Sequence, residues 1–190
     1  MKKYQVEELE VTLNHDDRTS IIKNGWVYHP YFDTLEEAQK AFREDIDSKL
    51  WQFDDRQDIA FNINEFEVTY DEDGDIEDEE YIDCVETYDW FSYQDEVKAD
   101  YESEPTEELV RITESTASFK SDLAEDILKS RLSDDWELAL DVKERSKAFN
   151  MRIICERADV SYGAWRLFKA NKQKMPGWQL REIEEAMDNA

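Results

Sequence analysis

The stretch Asp71–Glu80, DEDGDIEDEE, places eight carboxylates within ten residues. Carboxylate oxygens at close spacing can bind a cation such as Ca²⁺ or Mg²⁺. They can also stand in for the phosphates of a nucleic acid in the basic groove of another protein. A third reading is that they only keep a β-hairpin soluble. The residues around the run help to separate these three possibilities.

A calcium-binding loop of the EF-hand type requires the pattern D-x-[DN]-x-[DN]-G, with a glutamate at its twelfth position. Asp71, Asp73 and Asp75 have the required spacing. Gly74 comes two positions too early, however, and Ile82 occupies the twelfth position. The sharp turn and the bidentate ligand are both missing, so the pattern disfavours a calcium site.

Glu96-x-Lys98, with Asp83 or Asp89 upstream, has the loose D…ExK spacing of many nucleases. In such a site two carboxylates hold Mg²⁺ and the lysine stabilises developing charge. The pattern is permissive in a chain with 49 Asp and Glu residues. The surrounding negative charge would also repel DNA, which disfavours a nuclease.

Other catalytic signatures are missing from the sequence. The two histidines, His15 and His29, belong to no HExxH motif, and Cys84 and Cys155 have no CxxC spacing. Four glycines leave little room for a phosphate-binding loop. We therefore expect reduced thiols, no cofactor and no metal in a protein that is not an enzyme.

The first half of the chain predicts a ββαββ unit. Tyr4–Leu13 has the alternation of a strand with one slip, which suits a β-bulge. Ile21–Phe32 predicts a second strand, with Pro30 at its edge or outside the ladder. Thr34 and Glu37 form a capping box at the start of a helix, whose apolar residues recur along one face.

Two alternating segments, Ile59–Tyr70 and Ile76–Phe91, follow this helix and are joined by DEDGD. Asp-Gly between alternating strands predicts a hairpin, because glycine adopts positive φ without penalty. The next stretch, Ser92–Glu108, is polar and contains Pro105. We therefore place a boundary here, which gives an α+β class with an acidic domain over residues 1–104 and an all-α domain over residues 105–190.

Charge also divides the chain near this point. Residues 1–110 carry 34 acidic and 9 basic side chains, whereas residues 111–190 carry 15 and 14. Periodic apolar residues predict helices in the second part, one of them with Ser133 as its N-cap and two aspartates in its first turn. Within residues 143–181 there are 10 basic and 3 acidic side chains. This asymmetry predicts two parts with different partners.

The stretch of about 147–190 has the pattern of two short helices joined by a tight turn. Small Cys155 allows the helices to cross closely, and Ser161 can cap the second one. This resembles the helix-turn-helix of phage repressor and Cro-like proteins, in which Ala-Gly-Val-Ser forms the turn. Asp159 stands where that family usually has glycine, and aspartate enters the left-handed region more readily than most residues.

The resemblance implies that the start of the second helix enters the major groove of DNA. Expected base contacts come from Ser161, Tyr162, Gly163 and Arg166, and expected phosphate contacts from Lys169, Lys172 and Lys174. The alternative is a plain three-helix bundle whose lysines only face solvent.

The acidic run is larger than a soluble hairpin needs. The whole chain has a formal charge of -26, and like charges this close destabilise a fold. A basic nucleic-acid-binding groove on another protein would compensate them. The sequence thus predicts a partner-binding acidic surface made of Asp71, Glu72, Asp73, Asp75, Glu77, Asp78, Glu79, Glu80, Asp83 and Glu86.

An acidic ββαββ domain joined to a phage-type helix-turn-helix resembles phage and mobile-element inhibitors of host defence, such as anti-CRISPR proteins that block Cas9. The resemblance implies that the acidic domain mimics DNA and binds a CRISPR effector nuclease in the cytoplasm of a bacterial host, away from any membrane. It also implies that the second domain can bind duplex DNA and that the protein can form a homodimer. The alternative is a helix-turn-helix transcriptional regulator with an acidic partner-binding domain.

Overall fold

Four strands form one antiparallel sheet: β1 (Lys2–Asn14), β2 (Thr19–Val27), β3 (Ile59–Tyr70) and β4 (Ile76–Tyr88). In this computed structural model, which describes residues 1–115 and 118–190, the order across the sheet is β2-β1-β3-β4. β2 and β4 are therefore the two edge strands. One helix, α1 (Leu35–Lys49), connects the two hairpins. The predicted ββαββ order is confirmed.

The start of α1 is fixed by the predicted capping box. The hydroxyl of Thr34 accepts a hydrogen bond from the Glu37 N–H at 3.2 Å, and the Thr34 N–H donates to the Glu37 carboxylate at 3.3 Å. Two N–H groups that have no partner within the helix are thereby satisfied. The apolar stripe of the helix lies in the core through Ala38, Phe42 and Ile46.

The β1–β2 hairpin contains an irregularity, but the extra residue lies in β2 and not in β1, where the sequence predicted a bulge. Its register shifts between Glu10 and Val11, where β2 has one extra residue, Lys23. Pro30 lies beyond the end of β2, as expected for a residue that cannot donate to a ladder.

Within the residues that the structure describes, seven α-helices follow the sheet. They are α2 (Trp90–Ser103), α3 (Thr106–Ser115), α4 (Phe119–Arg131), α5 (Trp136–Arg145), α6 (Met151–Arg157), α7 (Tyr162–Lys169) and α8 (Gly177–Asp188). From α3 onward they share one hydrophobic core, in which large side chains are almost fully buried, among them Leu109, Leu128, Trp165, Phe168, Leu180 and Ile183. The all-helical character predicted for this part of the chain is confirmed.

The chain divides into two units, Met1–Val97 and Lys98–Ala190. The polar stretch Ser92–Glu108 is mostly helical and not an irregular linker. α2 ends at Ser103, and Pro105 separates it from α3 because proline lacks the N–H that would continue the helix. The boundary that we drew after residue 104 remains a prediction.

Ser133 is not the N-cap of α5, so that prediction was wrong. Asp135 has this role, and its carboxylate accepts a hydrogen bond from the Leu138 N–H at 3.4 Å. Ser133 is buried, and its hydroxyl accepts from the Asp135 N–H. The neighbouring Asp134 accepts from the Gly177 N–H at 2.9 Å, and this hydrogen bond lowers the pKa of the Asp134 carboxyl.

Both cysteines are free thiols, as expected, with Cys155 buried and Cys84 partly exposed. None of the helices in the described ranges has the length and apolar character needed to cross a membrane.

Candidate functional site

The tip of the β3–β4 hairpin is organised by Asp71. Its carboxylate accepts hydrogen bonds from the N–H groups of Asp73 and Asp75, each at 2.9 Å. Gly74 has a φ of 88°, which fits its place in the turn. Asp71 therefore has a structural task in the turn, although it is exposed, as are Glu72, Asp73 and Asp75.

β4 has three register irregularities against β3, each with one extra residue on β4. The extra residues are Glu77, Ile82 and Val85. Side chains alternate between the two faces of a strand, and each bulge resets this alternation. Asp83 therefore lies on the same face as Glu80, although simple alternation along β4 would place them on opposite faces.

The result is one cluster of carboxylates on the face of the sheet that also packs against α1. Gln39 of α1 donates a hydrogen bond to Glu86 at 3.1 Å, which identifies this face. The register adds two acids of β3, because Glu67 lies opposite Glu80 and Glu65 lies opposite Asp83. We call this cluster the acidic face, and its members are Glu65, Glu67, Asp78, Glu80, Asp83 and Glu86.

Sequence reasoning missed Glu65 and Glu67. The signal was available, because counting outward from the Asp-Gly turn pairs the end of β3 with the start of β4. Like charges directly opposite each other destabilise a sheet. Two such pairs on one face are therefore a cost to folding.

Few cations offset the acidic face. Lys2 forms an ion pair with Glu65 at 2.7 Å, and the hydrogen bond and charge of Glu65 raise the pKa of Lys2. The N-terminal amine lies 3.2 Å from Glu67. Within residues 1–115 and 118–190, no lysine, arginine or histidine forms an ion pair with any of the ten carboxylates that the sequence singled out.

The other face of the same hairpin is aromatic. The Tyr31 ring meets Phe66 edge-on with centroids 5.5 Å apart, and Phe66 meets Tyr81 in the same way at 5.8 Å. The Tyr31 hydroxyl donates to Glu79 at 2.6 Å. Burial and the Glu79 carboxylate together raise the pKa of Tyr31 well above its ordinary value. Glu79 is thus held on this face, away from the acidic face.

Charge is dense along β4. Glu77, Asp78, Glu79 and Glu80 are consecutive and exposed. Because side chains alternate between faces, Asp78 and Glu80 of the acidic face lie about 6.6 Å apart along the strand, which is about twice the spacing of roughly 3.4 Å between phosphates on one strand of B-DNA. The outer side of β4 has no neighbouring strand, so these charges lie at an open edge.

The loose nuclease pattern does not come together as a metal site. Asp89 caps the start of α2 by accepting from the N–H groups of Phe91 and Ser92. Glu96 accepts from Arg43 at 3.1 Å and from the Tyr88 hydroxyl at 2.7 Å. Among the described residues, no group of three or more His, Cys, Asp or Glu side chains could hold a metal ion.

The two predicted helices of the C-terminal stretch are α6 and α7, which we call the helix pair. α6 ends at Arg157, and Asp159 has a φ of 52° in the left-handed region. The Val160 N–H donates to the Cys155 carbonyl at 2.9 Å, and the Asp159 N–H donates to the Glu156 carbonyl at 3.4 Å. This is the Schellman pattern that ends many helices, with aspartate in the place of glycine.

The second helix of the pair begins as predicted. The Ser161 hydroxyl accepts from the Ala164 N–H at 3.4 Å and caps α7. Trp165 and Phe168 are almost fully buried, so they fix which side of α7 faces away from the core. All seven residues expected to contact DNA are exposed: Ser161, Tyr162, Gly163, Arg166, Lys169, Lys172 and Lys174.

Four of these exposed residues are cations. In the part of the chain that the structure describes, Arg166, Lys169, Lys172 and Lys174 form no ion pair, whereas nearby Arg145 contacts Asp141, Glu184 and Asp188. A cationic surface on the exposed side of a helix can bind phosphates.

Comparison of the chain with protein-family models, curated proteins and solved structures found no match.

Proposed function

We propose that this protein inhibits a nucleic-acid-binding protein of the bacterial host by occupying its basic groove with the acidic face and the hairpin tip. The partner class that best fits such a surface is a CRISPR effector nuclease of the Cas9 type, whose DNA lies in a positively charged channel. The protein acts in this proposal as a DNA mimic in the cytoplasm, without catalysis of its own.

The observation that carries this proposal is the bulged edge strand. The bulges of β4 collect Asp78, Glu80 and Asp83 on one face beside Glu65 and Glu67. Pairs of like charges directly opposite each other lower stability, so an arrangement of this kind calls for a compensating partner. A basic groove exchanges its counterions for phosphates, and it can exchange them for carboxylates in the same way.

Competition for DNA tests this proposal. Guide-RNA-loaded Cas9 is incubated with a labelled duplex that carries its recognition sequence, and the protein is added in increasing amounts. We expect displacement of the duplex and, in a direct binding assay without DNA, weaker binding of the protein to Cas9 as salt rises, because ion pairs dominate the contact. A panel of Cas9 orthologues from several bacteria is needed, since effector channels differ.

The contrary outcome would be a protein that binds none of the Cas9 proteins and is captured on no basic protein of a bacterial lysate at low salt. The acidic face would then serve solubility only.

A second function is favoured by a separate observation: within the described residues, Arg166 and Lys169 on the exposed side of α7 and Lys172 and Lys174 just after its end form no ion pair. The helix pair supports a transcriptional regulator that binds duplex DNA, with the acidic unit as its partner-binding part. In a gel-shift assay at low salt, the intact chain should retard duplex DNA, and Arg166→Ala should weaken the shift. Arg152→Ala, which removes an exposed arginine of α6, is the matched control. If both variants bound duplex DNA equally well, α7 would be excluded as the recognition helix.

A further inference from the structure

The outer edge of β2 carries large apolar side chains that face solvent. The exposed fractions are 60% for Ile21, 56% for Ile22, 45% for Trp26, 44% for Val27 and 66% for Tyr28. We call this set the edge patch. Tyr28 lies close to Trp26, because the Lys49 ammonium lies 5.2 Å from the Tyr28 ring centroid and bonds Glu8, the residue opposite Trp26.

The two edges of the sheet differ in charge. β4 carries acids along most of its length, which blocks the approach of another strand of this chain. β2 carries none, and residues 18–32 form the longest segment without Asp or Glu in the first unit. In a chain with a formal charge of -26, this segment is where a second copy of the sheet meets the least repulsion.

We propose that the edge patch is the interface of a homodimer, in which the segment Asn24–Tyr28 pairs antiparallel with the same segment of a second copy. The twofold axis passes through Trp26, so that the two Trp26 residues lie opposite each other. Asn24 then lies opposite Tyr28 of the second copy, and Gly25 opposite Val27. An isologous contact of this kind closes on itself and does not continue into a fibre.

The bulge of β2 determines which part of the strand pairs. Lys23 is its extra residue, and a lysine at a bulge protects an edge against pairing. A twofold axis at Trp26 leaves Lys23 outside the paired core, opposite position 29 of the second copy. The side chains of Asn24, Trp26 and Tyr28 then share the face of the sheet on which α1 packs.

The patch supplies part of the area that a dimer requires. Aromatic side chains bury roughly 150–250 Å² each, and the two aromatic members, Trp26 and Tyr28, lie in the paired segment and are 45% and 66% exposed. With Val27 in the segment, and with Ile21 and Ile22 beyond its end, each copy offers on the order of several hundred Å². A standard interface buries about 800 Å² per partner, and the paired backbone adds to the area of these side chains. This inference is independent of the proposed function.

Light scattering coupled to size-exclusion chromatography tests the dimer with the full chain. Across a concentration series, the mass should rise from 22.7 kDa towards twice that value. Trp26→Glu should hold the chain at monomer mass, because it places two carboxylates opposite each other at the axis. Ile76→Glu also replaces an exposed apolar residue by glutamate, but on β4, and this variant should dimerise like the wild type.

A wild-type chain that stays monomeric at millimolar concentration would overturn the proposal. So would a Trp26→Glu variant that dimerises as the wild type does, which would place the contact on another surface.

Disulfide trapping tests the register. In a Cys84→Ser background, Trp26→Cys should form a covalent dimer on mild oxidation, because directly opposite residues have Cα atoms about 4.5–5.5 Å apart. Tyr28→Cys should not cross-link to itself, since it lies opposite Asn24. Cross-linking of Tyr28→Cys in preference to Trp26→Cys would contradict the proposed axis.

Discussion

Asp159 shows at the scale of one residue how a sequence can depart from a pattern and still fold. The turn between α6 and α7 needs a left-handed residue, and aspartate fills it with a φ of 52°. Its neighbours Val160 and Cys155 are both buried, which supplies the hydrophobic contact of the Schellman turn. The place of the left-handed residue in the turn and its conformation were both predictable, because only a few residue types tolerate the left-handed region.

Asp159→Gly should stabilise the second unit by about 0.5–1 kcal/mol, because a left-handed conformation costs a residue with a Cβ more than it costs glycine. The free energy of unfolding, measured by urea denaturation, tests this. Asp159→Asn is the control for charge and should change little, since asparagine also tolerates the left-handed region. A loss of stability in Asp159→Gly would show that the aspartate makes a contribution beyond its backbone conformation.

Lys143 is a second residue with a measurable signature. Its ammonium lies 4.3 Å from the Phe168 ring centroid and donates to Asn171 at 2.6 Å. Burial lowers the pKa of Lys143 below its ordinary value of 10.5. Between the folded and unfolded pKa values the unfolded chain therefore binds more protons, so the free energy of unfolding should rise with pH in the window below 10.5.

This pH dependence is checked by urea denaturation of the wild type and of Lys143→Met between about pH 8 and 10.5. The variant should lack the part of the slope that comes from Lys143. Lys174→Met, at an exposed lysine, should keep the slope of the wild type. If Lys143→Met kept the wild-type slope of unfolding free energy against pH, Lys143 would have the same pKa in the folded and unfolded states.

At the scale of elements, the register of β4 determines which carboxylates share the acidic face. The strand and its Asp-Gly turn were predictable from alternation and turn chemistry. Its three bulges were not, because a bulge depends on how each residue of β4 fits β3 and not on the local pattern. The bulge at Ile82 brings Asp83 onto the acidic face, which the local pattern does not show, whereas Glu65 and Glu67 could have been found by counting from the turn.

The helix α2 was missed for a different reason. Its buried residues, Trp90, Phe91 and Tyr93, all lie in its first four residues, so the rest of the helix shows no apolar stripe. Pro105 was correctly taken to interrupt a helix, but it lies between two helices and not within a linker. Ser133 failed as an N-cap because Asp135, two residues later, competes for the same role.

Glu80→Lys should stabilise the first unit, because it replaces the like-charge pair with Glu67 by an attractive one. A cross-strand pair contributes about 0.2–1 kcal/mol, and this substitution also removes a repulsion of similar size. Thermal or urea unfolding measures the gain. Glu72→Lys at the hairpin tip makes the same charge change without a facing strand residue and should gain less. An equal gain in both variants would point to net charge as the cause.

At the scale of the whole molecule, charge separates two kinds of surface. The carboxylates of the hairpin lie on the sheet, and the exposed cations lie on α7 and in the turn that follows it. Sequence composition predicted this asymmetry directly, since charge counts do not depend on the fold. The target, by contrast, depends on the shape of a partner surface, which one chain does not encode.

The central claim is that the acidic face stands in for phosphates, and a comparison of two charge-matched variants tests it most directly. The face variant carries Glu67→Gln, Asp78→Asn, Glu80→Gln and Asp83→Asn. The control variant carries Asp16→Asn, Glu44→Gln, Asp47→Asn and Asp55→Asn, which removes four exposed charges elsewhere in the first unit. Both keep the side-chain shapes and have the same net charge.

The measurement is the dissociation constant for the Cas9 protein that the competition assay identifies, over a salt series. We expect the face variant to bind at least tenfold more weakly, about 1.4 kcal/mol, with a shallower dependence on salt. The control variant should bind nearly as the wild type does. A face variant that binds and inhibits at full strength, or a control variant that loses as much affinity, would contradict the account.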